Sequence, residues 1–174
     1  ALPPQILPGN RGDPKALLTV YETARAADAV PLLGEVHLAW LALGGAVCAF
    51  SVRAYRAADG AGRRRILRVL AASLFLDEGL KAAAVLLAGY PEAEYLPLHL
   101  CSLAMFVSLA YALRPSDAAG EFLFAVCLPG AAGALLFPGF LALPADSLLS
   151  FHSFSYHILA VCFAILPLSA GEFC

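Results

Sequence analysis

The stretch Glu92–Phe106, EAEYLPLHLCSLAMF, sets a proline, a histidine and a thiol at the mouth of an apolar run. Pro97 suits the first turn of a helix, which would place Cys101 about one turn in. A thiol there is a candidate nucleophile, because the helix dipole and the free amides of a first turn stabilise a thiolate. It would need a base, and a histidine from another segment could complete a Cys–His pair for covalent catalysis. His99 is poorly placed for that role, since residues two apart on a helix point to nearly opposite sides. His152 and His157, in FHSFSYHIL, are the remaining candidates. They are five apart, so they face different directions and only one is expected to meet the thiol. At ~1.5 Å rise per residue, His152 matches the depth of Cys101 better and His157 sits deeper.

The elements that must position these groups are membrane helices. The chain has 174 residues, of which 61% are hydrophobic and 14% charged. Its mean hydropathy is +0.79. A soluble domain usually carries about 25% charged residues. The reading is an all-α polytopic bundle with about five transmembrane helices, each near the ~20 residues needed to cross ~30 Å of hydrocarbon. The spans are expected near residues 31–52, 66–89, 95–113, 118–140 and 147–170. Residues 1–30 read as a leader in which Asp13 and Pro14 start an amphipathic helix lying on the membrane surface. Residues 31–174 read as the transmembrane domain. No short apolar region with a basic flank marks a cleavable signal peptide, and no internal repeat of the transporter kind is evident.

Arginine sets the expected orientation. The connection RAYRAADGAGRRRILR holds Arg53, Arg56, Arg63, Arg64, Arg65 and Arg68. By the positive-inside rule this loop, residues 53–68, is cytoplasmic and the N-terminus lies outside. As a topology signal it calls for no nucleic-acid partner. Alternation then places Glu35 and His37, His99 and Cys101, and His152 and His157 in one half of the membrane. These are all four histidines of the chain. Ionisable groups inside a bilayer are costly and face a cavity or a partner, so the cluster reads as a site. Interhelical hydrogen bonds that hold a bundle together are the plainer alternative.

Span two adds LFLDEGLKAAA. Asp77 and Lys81, four apart, can pair on one face. Glu78 points about 100° away and can reach a histidine on a neighbouring span. Cys48, Cys127 and Cys162 read as packing residues, as free cysteines in apolar runs usually are. An odd cysteine count without CxxC argues against a disulfide framework. The small residues of PGAAGALLFPG, 129–139, permit close helix approach or make room for a cavity, and Pro129 should kink its span. Four histidines with Glu35 and Asp146 could hold zinc, yet no HxxxH or HExxH spacing is present. No cofactor is implied. The tripeptide Arg11–Gly12–Asp13 is too short to carry a function.

Four stretches resemble the YwaF-like family of bacterial integral membrane proteins, relatives of an animal transmembrane acyltransferase acting on ether phospholipids. They are LLGEVHLAWL with His37, LPLHLCSLA with Cys101, GAAGALLFP, and FHSFSYHIL with His157. The resemblance implies a bacterial plasma-membrane protein that acts on membrane lipids. It implies a Cys–His pair in acyl transfer or acyl hydrolysis, carried by Cys101 and His157 through an acyl-enzyme. It thus favours His157 where depth counting favours His152. His152, His99, His37, Glu35 and Glu78 are then expected to orient the base or bind substrate. One departure is that the family pattern continues into a span with an Asn–Tyr motif, whereas the one asparagine here is Asn10. A non-catalytic lipid- or solute-binding bundle and a zinc-dependent membrane hydrolase are the competing functions.

Overall fold

In the computed structural model the described residues are 30–87, 100–139 and 143–172. The leader, with its expected surface helix, and the segment holding Glu92, Glu94, Pro97 and His99 lie outside them. The described chain is helical: α1 (Glu35–Ala57), α2 (Gly60–Leu87), α3 (Leu100–Leu113), α4 (Asp117–Phe122), a π-helical turn (Leu123–Cys127), α5 (Leu128–Leu136) and α6 (Leu148–Ser169). Three stretches are long and apolar enough to cross a membrane: α1, the continuous run Asp117–Leu136, and α6. Residues Cys101–Leu113 add a shorter apolar helix. The chain is a helical membrane bundle.

The turn between α1 and α2 differs from the expected loop. Only Ala58 and Asp59 separate the helices, so the arginines at 53–68 lie on helix ends. Asp59 makes this possible, since its Oδ1 accepts from Gly62 N at 2.7 Å and caps α2. Arg63 closes the other side, donating Nε to the carbonyls of Tyr55 and Ala58 at 3.2 Å. These lie among the last carbonyls of α1, where a helix end runs short of backbone donors; Tyr55 O takes a longer bond from Ala58 N as well, at 3.3 Å. Arg63 also pairs with Glu172 at 3.2 Å, and Tyr55 donates to Glu172 at 2.7 Å. The start of α2 is thereby tied to the end of α6.

Two further caps follow from serine. Ser116 Oγ accepts from Ala119 N at 3.3 Å, and Ser147 Oγ accepts from Ser150 N at 3.1 Å. The break expected at Pro129 falls just before it. Leu128 N bonds back to Leu123 O, five residues away, and the wider turn gives the proline ring room.

α6 is the central element. Phe154, Cys162, Phe163, Ala164 and Leu166 are fully buried on it, against α1, α2 and α5. Its seam with α1 is tight at Gly44, where a Cβ would lie 3.0 Å from Ile158 Cγ1. Further along the same seam Cys48 and Cys162 bring their sulfurs to 2.6 Å. Close approach therefore occurs at Gly44. The glycines of 129–139 do not provide it, since a Cβ on Gly130, Gly133 or Gly139 would meet nothing within 4 Å.

Candidate functional site: a thiol and an imidazole on one cavity, beside a buried charge cluster

A cavity of about 40 Å³ lies between α3, the π turn, α5 and α6. Cys101, Cys127, Gly130, Tyr156 and His157 line it, with small apolar neighbours. Gly130 and Ala131 of the small-residue segment are what leave it open. Tyr156, the residue before the histidine, donates its hydroxyl to the Cys101 carbonyl at 2.9 Å. This bond sets the register of α3 against α6. It puts Cys101 at the level of residues 156–157, deeper along α6 than counting residues from the helix starts suggests.

His157 is oriented from its own helix. Its Nδ1 lies 2.6 Å from the Ser153 carbonyl, which can only accept, so Nδ1 carries the proton. The basic lone pair of the ring is then on Nε2, the tautomer a general base requires. The thiol and this imidazole both line the cavity. Cys101 is an exposed residue and also lines the cavity. Cys127, read from sequence as packing, also lines the cavity.

His152 is not in the cavity lining. It meets the acidic pair of α2: Nδ1 lies 2.9 Å from Asp77 Oδ2 and Nε2 lies 3.5 Å from Glu78 Oε2. The first contact has an ion-pair distance but not the directions of a hydrogen bond. Glu78 thus reaches a histidine on a neighbouring span. Lys81 pairs with Glu78, three residues back, and not with Asp77 as expected. The reason is tertiary. Positions three and four apart are both neighbours on a helix, and α6 has claimed Asp77 through His152 and through Ser155 Oγ at 3.0 Å. All four ionisable side chains are at least four-fifths buried.

The other candidates sit apart from the cavity. His37 is fully buried, and both ring nitrogens are used. Leu33 N–H donates to Nδ1 at 3.0 Å, and Nε2 donates to the Leu135 carbonyl at 2.7 Å. This ties the start of α1 to the end of α5 and leaves no ring nitrogen for a ligand. Leu33 holds φ 59 to aim its N–H at His37, an unusual conformation for a branched residue. Glu35 is exposed in the first turn of α1, where a carboxylate complements the helix dipole. His99 lies outside the described residues. Among the described residues no three His, Cys, Asp or Glu side chains are arranged to hold a metal ion.

The sequence reading missed Tyr156 and Cys127. Tyr156 had a signal, since a tyrosine within an apolar span must find a partner for its hydroxyl. Cys127 had none, because free cysteine in an apolar run reads as a small hydrophobe.

A helical membrane bundle with a thiol and an imidazole on a small apolar cavity is the class the fold and site define. The chain matches the TMEM164 family over residues 32–173 and belongs to that family. No curated protein and no solved structure matches it.

Proposed function

We propose that this membrane protein transfers acyl groups of membrane lipids, with Cys101 as nucleophile and His157 as base. The observation that carries the reading is that Cys101 and His157 line one cavity, with Tyr156 fastening the thiol-bearing backbone to the same helix. His157 Nε2 takes the thiol proton as Cys101 Sγ attacks the carbonyl carbon of an acyl ester. The ester C–O bond breaks, the acyl group remains as a thioester on Sγ, and the proton passes from Nε2 to the departing alkoxide. A hydroxyl of a lysolipid, or water, then gives its proton to Nε2 and attacks the thioester carbonyl; the C–S bond breaks and Nε2 returns the proton to the departing Sγ.

The size of the cavity says which part of the substrate enters. A volume of about 40 Å³ exceeds the ~10–15 Å³ that one water needs, but it holds no acyl chain. The reacting carbonyl would enter past Cys101 while the chains stay in the bilayer. The buried acids of α2 and His152 would set the electrostatic surroundings of the base. Kinship with bacterial YwaF-like proteins, a plasma-membrane location and a cytoplasmic arginine end belong to the same proposal. They rest on the motif resemblance and on the arginine asymmetry.

The test is acyl exchange between a labelled phospholipid and a lysophospholipid in vesicles holding the intact chain. Cys101→Ala and His157→Ala abolish exchange, while Cys127→Ala retains it. Intact-mass analysis shows an acyl adduct on Cys101 that hydroxylamine removes. Exchange at the native rate in Cys101→Ala would refute the mechanism. Co-purified lipid with no adduct on Cys101 would instead mark a bundle that binds lipid without turnover.

A further inference from the structure

The far end of α2 carries a second feature, independent of the thiol chemistry. Arg64, Arg65 and Arg68 are exposed and form no ion pair among the described residues. Their neighbour Arg63 is committed to Glu172, so the nearby carboxylate is already used. The three arginines share one open face of α2 with Ala61, Val69 and Ala72, and a shallow hollow runs along that face. Arg65 and Val69 also border a second hollow, of about 270 Å³, in the groove between α1 and α2. That groove is apolar, with Phe50, Ala54, Ile66 and Leu70 on its walls. Phe50 is 74% and Val69 57% exposed, so the groove presents large hydrophobic surface beside Arg65. At ~1.5 Å per residue, Arg65 stands about 20 Å along α2 from Glu78.

We propose that this end of the bundle binds an anionic diacyl phospholipid. The phosphate sits among Arg64, Arg65 and Arg68, and an acyl chain lies in the α1–α2 groove against Phe50 and Val69. Three facts select this occupant. The guanidinium groups have no carboxylate partner among the described residues and match phosphate in geometry. The apolar groove continues from the basic hollow without a break, since Arg65 and Val69 belong to both. One wall of the groove is α1, which is long and apolar enough to cross a membrane, so acyl chains are the available cover. A soluble phosphate would satisfy the arginines and leave the groove bare.

The experiment is native mass spectrometry of the intact chain in detergent, titrated with an equimolar mixture of phosphatidylglycerol and phosphatidylcholine. Each arginine near a phosphate surface contributes roughly fivefold, so the three give the anionic lipid a preference of roughly 100-fold. R64Q/R65Q/R68Q brings the two lipids to near parity. Val69→Trp, at an exposed position, fills the groove and weakens binding of both lipids without touching the charges. R53Q/R56Q, which removes two arginines at the same end of the bundle but outside both hollows, leaves the preference intact. Equal binding of the two lipids by the native chain overturns the proposal. So does a loss in R53Q/R56Q as large, per charge, as in the triple variant, because a diffuse surface charge would then explain the preference. Unchanged binding in Val69→Trp overturns the seat of the acyl chain.

Discussion

Lys81→Met removes the only ammonium from a cluster in which Asp77, Glu78 and His152 remain. The Lys81 and Glu78 side chains are 10% and 6% exposed, so water screens neither. The variant leaves two adjacent carboxylates facing a single imidazole. Breaking a buried pair from one side costs about 3–5 kcal/mol, because the remaining charge is stranded. For a chain of this length each kcal/mol moves the melting temperature by about 2–4 °C. The expected fall is therefore roughly 6–20 °C. The protein has one tryptophan, Trp40, stacked on Phe154 of α6 at 5.1 Å between ring centroids. Its fluorescence reports separation of α1 from α6 during a melt in detergent. Glu78→Gln combined with Lys81→Met removes both charges, and the double variant recovers most of the loss, since replacing a whole buried pair is often neutral. A native melting temperature for Lys81→Met would refute the reasoning, because the pair would then not be desolvated. Equal destabilisation in the single and double variants would refute it too, by making the loss one of shape and not of charge.

Three further changes test the parts that hold the bundle together. Gly44→Val drives a side chain into Ile158, 3.0 Å from where its Cβ would lie, and costs about 1–3 kcal/mol in the same melt. Adding Ile158→Ala restores part of it. Tyr55→Phe deletes the 2.7 Å bond to Glu172 and costs about 1–1.5 kcal/mol, the low end for a charged acceptor because Glu172 is partly exposed. Faster proteolysis at the end of α6 reports it. Ser147→Ala removes the cap on α6 and lowers stability by about 1 kcal/mol, read from the denaturation midpoint.

Much of this architecture is legible in the sequence, because a bilayer leaves a chain few choices. Runs of apolar residues near the crossing length become helices, and α1 and α6 start and stop within a few residues of their expected bounds. The meeting of α2 and α6 through polar side chains is legible for a related reason. Charge inside hydrocarbon must find charge, and Glu78 does find His152. Pairing within the cluster is less legible. Asp77 and Glu78 are equivalent neighbours of Lys81 along one helix, and only the placement of α6 decides between them. The arginine run reads as a loop because charged residues end apolar runs. In the protein it is helix, since Asp59 and Arg63 supply the caps a two-residue turn needs. The depth of Cys101 is misjudged by counting, because α3 and α6 are set against each other by Tyr156 and not by their ends.

The five-residue turn Leu123–Cys127 has a bearing on how relatives of this chain should be aligned. A π turn holds one more residue than the helix around it can accommodate at regular pitch, so it works as a phase shifter. Everything after it is rotated by about 100° relative to an uninterrupted α-helix. Gly130 and Ala131 look into the space beside Cys101 only with that extra residue in place. Deleting one residue there would leave the span's composition and hydropathy nearly unchanged while turning that small-residue face away. A relative one residue shorter in this stretch would keep its thiol and imidazole and still lose the hollow between them.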